Sequence, residues 1–182
     1  MKQNYKLLIV SGPPGSGKTS IMRSALGKER EIVSVTTRPP RNNERHGIDY
    51  IFISREQMEF FRRQNQLIQY LKWRNYEYGL LKSEVKKKLS QKKLAYVIVS
   101  VNGMLQIKQK IPEVATIFFD TTREDCIQNM RSRGDSEEEI SKRIQLYESE
   151  RQLLDEYDHI FTNTRGCKEK MVSKIKNFLQ ML

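Results

Sequence analysis

An α/β fold around a mostly parallel sheet is predicted by three features of this sequence. Short apolar runs alternate with amphipathic, charged stretches from end to end. Two of those runs, Leu7-Leu8-Ile9-Val10 and the stretch from Leu94 to Val101, are unbroken, the pattern of strands buried on both faces. Directly after the first comes Gly12-Pro13-Pro14-Gly15-Ser16-Gly17-Lys18-Thr19, which satisfies G-x-x-x-x-G-K-[ST] between a strand and a helix, the setting that the motif requires. In such a sheet, ligands are expected at the carboxyl ends of the strands.

The glycine-rich stretch is therefore read as a phosphate-binding P-loop. Gly12, Gly15 and Gly17 can take backbone angles that a Cβ resists, so successive N–H groups turn inward as an anion nest at a helix N-terminus. Lys18 would bridge the outer phosphates and the Thr19 hydroxyl would ligate Mg²⁺. The expected phosphate site thus comprises Gly12, Pro13, Pro14, Gly15, Ser16, Gly17, Lys18, Thr19 and Ser20.

The first helix follows, from Thr19 to Leu26, and Ile32-Val33-Ser34-Val35 reads as a short buried strand. Two prolines then force an irregular loop, Thr36 to Glu44, on which Arg38 and Arg41 stand three apart. Two guanidinium forks on one loop can clamp a second phosphate, or simply lie on a solvated surface. Gly47 to Ile53 alternates as a half-buried strand, and Ser54 caps a helix from about Arg55 to Arg63. Leu67 to Trp73 and Tyr76 to Gly79 suggest two short strands joined at Arg74-Asn75. The block from Ser34 to Leu81 thus forms a small β-rich insertion. Its aromatics Tyr50, Tyr70, Trp73, Tyr76 and Tyr78 can be core, or their hydroxyls can reach a phosphate.

A helix from Ser83 to Gln91 returns the chain to the central strand Leu94 to Val101, followed after Asn102-Gly103 by a short helix to about Lys110. Strand Val114 to Phe119 comes next, then a helix capped by Thr122 and reaching about Ser132. Beyond a charged turn flanked by Arg131, Arg133 and Arg143, one long, mostly exposed helix is expected from about Ser136 to Tyr157, with Ser136 and Glu139 as a capping box. His159 to Thr162 makes the last strand. A final amphipathic helix, from about Cys167 to Leu182, carries Met171, Ile175, Phe178 and Leu179 on one face.

The totals narrow the function classes. The 182 residues suit one domain with small insertions, and 33 basic against 22 acidic side chains leave a net charge of +11. Such an excess fits phosphate-rich ligands, and no nucleic-acid-binding signature accompanies it. Cys126 and Cys167 are far apart with no histidine near, so neither a disulfide framework nor a zinc site is indicated. No apolar run approaches the length that spans a bilayer, so a cytoplasmic protein with no membrane partner is expected.

With these blocks in place the chain resembles the guanylate kinases, over about Lys6 to Asn163. Beside the P-loop, the likeness rests on Ser34-x-Thr36-Thr37-Arg38-x-x-Arg41, Glu44-x-x-Gly47-x-Asp49-Tyr50-x-Phe52, Tyr78-Gly79, Arg133-Gly134, Lys142-Arg143 and Thr162-Asn163. The resemblance implies a P-loop NTPase core (CORE, about residues 1–33, 82–128 and 158–182), a monophosphate-binding subdomain (about 34–81) and a helical LID (about 129–157). It implies ATP as donor with Mg²⁺, GMP as acceptor, and a monomer or homodimer. Carried over, Arg38, Arg41, Tyr50 and Tyr78 would grip the GMP phosphate, and Ser34 would contact the base. Arg133 and Arg143 would close over ATP with Lys18 to neutralise the moving phosphoryl, and Asn163 would lie near the adenine.

The departures from the family pattern fall together. Gln69 stands where the family has a glutamate that reads guanine, and Leu80 where it has a serine. Ile98-Val99-Ser100 replaces an Asp-x-Asp, and Asn129 occupies a LID arginine position. Gln69 and Ser100 keep possible hydrogen bonds to the base without a carboxylate's charge. Ile98 leaves Thr19 and water to hold Mg²⁺ unless Asp120, otherwise a helix cap, or another carboxylate substitutes. Two other readings stay open on the sequence: a kinase for a different nucleoside monophosphate or phosphorylated small molecule, and an ATP-binding interaction domain with weak catalysis.

Overall fold

Strand β1 (Leu7–Ser11) is buried along its whole length, as its unbroken apolar run requires. In this computed structural model, which describes residues 7–41 and 44–181, it sits at the centre of a five-stranded parallel sheet. The order is β2 (Glu31–Ile32), β7 (Ala95–Ile98), β1, β8 (Ala115–Asp120), β9 (His159–Thr162). Leu8 pairs with Tyr96 on one side and Ala115 on the other.

Alternation along β1 divides two cores. Leu8 and Val10 face helices α1 (Lys18–Leu26) and α8 (Lys168–Met181), packing with Ile21, Met22, Met171, Ile175 and Phe178. Leu7 and Ile9 face the opposite way, toward Val85 of α3 (Lys82–Gln91) and Val101, Met104 and Ile107 of α4 (Val101–Lys110). The predicted apolar stripe of the last helix is therefore the one that covers the sheet.

A second, four-stranded sheet runs β4 (Ile51–Phe52), β3 (Val35–Thr36), β6 (Tyr76–Leu81), β5 (Leu67–Trp73). Helix α2 (Arg55–Arg63) closes it through Met58, which packs with Val35, Leu67 and Leu81. Ser54 caps α2 as expected, in a full capping box with Gln57.

Several expectations are corrected. The strand read at 32–35 is two strands in two sheets: β2 ends at Ile32 and β3 begins at Val35, because the chain crosses between cores at Val33-Ser34. Of the strand read at 47–53, only Ile51–Phe52 is extended, since residues before it form a turn closed by the Gly47 N–H on the Tyr50 carbonyl at 2.8 Å. The central strand stops at Ile98, where Ser100 accepts from the Gly103 N–H and starts α4.

The long helix read at 136–157 is broken into α6 (Glu137–Ile144), α7 (Tyr147–Arg151) and a 3-10 turn at Leu154–Glu156. Its mixed charges hide an apolar stripe. Ile140, Ile144 and Tyr147 pack on Cys126 and Met130 of α5 (Arg123–Ser132), whereas Tyr157 meets Phe118 edge to face, ring centroids 5.1 Å apart. One straight rod cannot bury one end on α5 and the other on the sheet, so the chain bends. Thr122 caps α5 as predicted, and Asp120 instead pairs with Arg151, so it is not a cap. Ser136 accepts from the Glu139 N–H at 3.2 Å, which is one half of the expected box.

No helix among the described residues is long and apolar enough to cross a membrane. Met1 to Lys6, Asn42, Asn43 and Leu182, on which parts of the N-terminal, loop and last-helix readings fall, lie outside the described residues.

Candidate active site

The carboxyl ends of β1 and β7 open into a cleft of about 840 Å³ that the second sheet and the 129–150 segment wall in. At its floor lies the glycine loop. Gly15 has φ +84°, and a Cβ built there would meet the Cys126 carbonyl oxygen at 2.3 Å; at Gly12, φ +146°, it would meet that of Phe119 at 2.5 Å. The loop is thus pressed against α5 and β8, and only glycine lets it lie so close. Gly17, with φ +80°, leads into α1, whose first residues Lys18, Thr19 and Ser20 line the cleft.

Two asparagines brace this loop. Asn163 Nδ2 donates to the Ser16 carbonyl at 2.9 Å, and Asn129 Nδ2 donates to that of Gly15 at 2.8 Å. The Lys18 Nζ rests on the Pro13 carbonyl at 3.1 Å, and burial pushes its pKa below the ordinary lysine value. Gly12, Pro14, Gly15, Gly17, Lys18, Thr19, Ser20 and Asn163 line the cleft. Pro13 and Ser16 support it from behind, Ser16 fully buried.

Facing the loop are Arg38, Arg41, Tyr50 and Tyr78, brought together by β3, β6 and the turn before β4. The Arg38 guanidinium is buried and lies over the Tyr50 ring, 5.5 Å from its centroid. Burial opposes its charge, but the Glu44 carboxylate at 2.8 Å outweighs that and raises its pKa. Glu44 also accepts from the Arg41 N–H at 2.9 Å, so one carboxylate orients both arginines of the loop. Tyr50, pushed up to about 12 by burial and by Tyr78, stays a neutral donor. On the third wall, Arg143 is buried and reaches Asp135 at 3.3 Å, while the more exposed Arg133 pairs with the same Asp135. Both arginines line the cleft, as do Ser34, Gln69 and Ser100.

For a magnesium ion the fit is that of an ion arriving with its nucleotide. Thr19 presents a hydroxyl in the first turn of α1, and the described residues contain no cluster of three acidic, histidine or cysteine side chains that could cage a metal. Mg²⁺ keeps several waters and binds substrate phosphates, so a single protein hydroxyl suits it. Asp120, weighed as a substitute acid, is engaged by Arg151 and does not line the cleft.

A family model described as guanylate kinase matches residues 4–182. The chain belongs to the guanylate kinase family. Among its relatives, the guanylate kinase of Fusobacterium nucleatum is 35% identical over 179 residues, covering 94% of this chain and 96% of that protein. The guanylate kinase of a Nostoc species is 36% identical over 158 residues, 84% of this chain and 79% of that one. Among solved structures, the crystal structure of guanylate kinase from Anaplasma phagocytophilum superposes with a TM-score of 0.75 at 20% identity over 98% of this chain and 86% of that one, a likeness of fold.

Within this guanylate kinase family member, sequence reasoning missed Glu44 as the brace of both loop arginines, and Glu150. Glu150 lines the cleft near Lys18, and its Oε2 is buried without a hydrogen-bond partner among the described residues. Burial pushes its pKa up to about 7. The signal was present: Ile140, Arg143, Ile144 and Tyr147 follow helical spacing, and Glu150 continues their face at i+3 from Tyr147.

Proposed function

We propose that this chain transfers the γ-phosphoryl group of ATP to GMP, yielding ADP and GDP. The carrying observation is that a nucleotide-phosphate loop with its lysine and a buried arginine-tyrosine cluster face each other across one cleft. The kinship with guanylate kinases supports both substrates and does not favour a different acceptor or a catalytically weak interaction domain.

In this reading the P-loop amides and Lys18 hold the β- and γ-phosphates of ATP, and the first turn of α1 adds its N–H groups. Arg38 and Arg41 hold the GMP phosphate, with Tyr50 and Tyr78 donating from their hydroxyls. An oxygen of that phosphate attacks the γ-phosphorus in line, and the bond to the bridging oxygen of ADP breaks. Charge spreads over the transferring group, and Arg133 and Arg143 neutralise it from the third wall. A magnesium ion, held by Thr19 and its own waters, would supply Lewis-acid neutralisation of the β- and γ-oxygens. No protein nucleophile is needed, because positioning and electrostatics supply most of the rate in this chemistry. The second sheet then serves as the monophosphate-binding subdomain, and residues 129–157 as the LID.

A coupled assay of ADP release tests this. With ATP and GMP the protein should turn over, and Lys18→Ala should lower kcat at least ~10²-fold, the scale of one lost transition-state donor. Retained kcat in a folded Lys18→Ala protein would remove the phosphate role assigned to that side chain.

A further inference from the structure

Among the described residues, the part of the cleft between β5 and the first turn of α4 contains no free carboxylate. Four acidic residues line the cleft as a whole, and each is placed elsewhere. Glu31 holds Arg23 at 2.6 Å, and Asp49 holds the same Arg23 at 3.0 Å. Glu44 is spent on Arg38, and Glu150 lies toward Lys18.

Ser34, Ser100 and Gln69, which line the cleft, carry neutral polar groups, two hydroxyls and an amide. Gln69 is only 3% exposed, and an irregularity in the pairing of β5 with β6, between Leu67 and Gln69, marks its position. Its amide lies over Gly103 of α4, where a Cβ would touch Gln69 Cδ and Nε2 at 3.5 Å. A buried amide on rigid elements, in a cleft that Tyr78 and Trp73 also line, is suited to reading the edge of a flat base.

The chemistry of that edge decides what can be read. Guanine presents the O6 acceptor, the N1–H donor and the 2-amino donor in a row. A carboxylate, with two acceptor oxygens, takes N1–H and the 2-amino group together. A carboxamide has one acceptor and one donor. Its best bidentate match is Nε2–H to O6 with Oε1 accepting from N1–H, and hypoxanthine carries both of those groups. The 2-amino group is then left to a serine hydroxyl. Ser100 already accepts from the Gly103 N–H at 3.3 Å, and a neutral hydrogen bond discriminates by about tenfold at most.

Resting on the phosphotransfer reading above, we infer that the acceptor site selects 6-oxopurine monophosphates without reading the 2-amino group, so that IMP is phosphorylated alongside GMP. Gln69 is the specificity-determining residue.

Initial rates with GMP or IMP as sole acceptor, at saturating ATP, test this. The wild-type protein should give kcat/KM values within about tenfold of each other, the difference lying in KM. Gln69→Glu, nearly isosteric, should raise the preference for GMP by about tenfold or more, again through KM. Turnover of GMP with IMP used less than about a hundredth as well would overturn the inference, as would a folded Gln69→Glu protein with an unchanged ratio. If that variant does not fold, the wild-type ratio alone decides. A protein that turns over neither acceptor defeats the phosphotransfer reading itself, which separates the two failures.

Discussion

The two ends of the cleft are built on different principles. At the end proposed to hold the phosphates, the groups are backbone amides and fixed charges: the glycine loop pressed on Cys126 and Phe119, Lys18 on Pro13, and Arg38 held by Glu44. At the end proposed to face the base, they are neutral side chains on three separate elements, Ser34 after β2, Gln69 on β5 and Ser100 at the start of α4. Charge-assisted contacts are roughly twice as strong as neutral ones, so binding energy should concentrate at the phosphates and selectivity at the base should be modest.

Mutations at the two ends should therefore differ in scale. The largest effect is expected for Arg38→Ala, a loss of about 10²–10³-fold in kcat/KM for GMP, because the guanidinium proposed to hold the phosphate disappears and Glu44 loses its closest cationic partner. Arg38→Lys should recover only part of that, since an ammonium cannot reproduce the fork. Steady-state kinetics on both variants, with circular dichroism to confirm folding, would break the contrast if Arg38→Ala stayed within tenfold of wild type. At the other end, Ser34→Ala should cost about tenfold or less, in KM with kcat held, the scale of one neutral hydrogen bond.

The smallest expected effect concerns Glu150. Its carboxyl is held near 7 in the folded chain against an ordinary value of 4.5. Between those values the folded state keeps a proton that the unfolded chain has released, so stability from this group is present below about 4.5 and is lost as pH rises through about 7. Glu150→Gln, neutral throughout, should flatten that slope, leaving the variant a few degrees more stable than wild type at pH 8 and not at pH 4. Thermal melts of both proteins across this range, without nucleotide, check it. Parallel curves would mean that the buried oxygen is solvated.

How much could be read beforehand follows the same division. The P-loop was legible because its chemistry is local: eight consecutive residues, with a strand before and a helix after, suffice to form it. Arg38 and Arg41 were legible as a pair, but not their shared brace, since Glu44 matters only once the loop folds back. The crossing at Val33-Ser34 escaped because a four-residue apolar run looks the same whether it serves one sheet or two. The bend after Ile144 escaped for the opposite reason. Its cause is tertiary, the need to seat Tyr147 against Thr121 and Tyr157 on Phe118. Asp120 was misjudged because Arg151, thirty-one residues away, is what engages it.

The resting place of the Lys18 ammonium has an energetic consequence of its own. Docked on the Pro13 carbonyl, it is no longer a solvated, freely rotating chain. On the proposed reading, an arriving triphosphate would swap one oxygen ligand for another, and the ~2 kcal/mol of rotamer freedom that a surface lysine would surrender has already gone. On departure of the spent nucleotide the same carbonyl would take the cation back, and the loop would begin each cycle in the shape in which it ended the last.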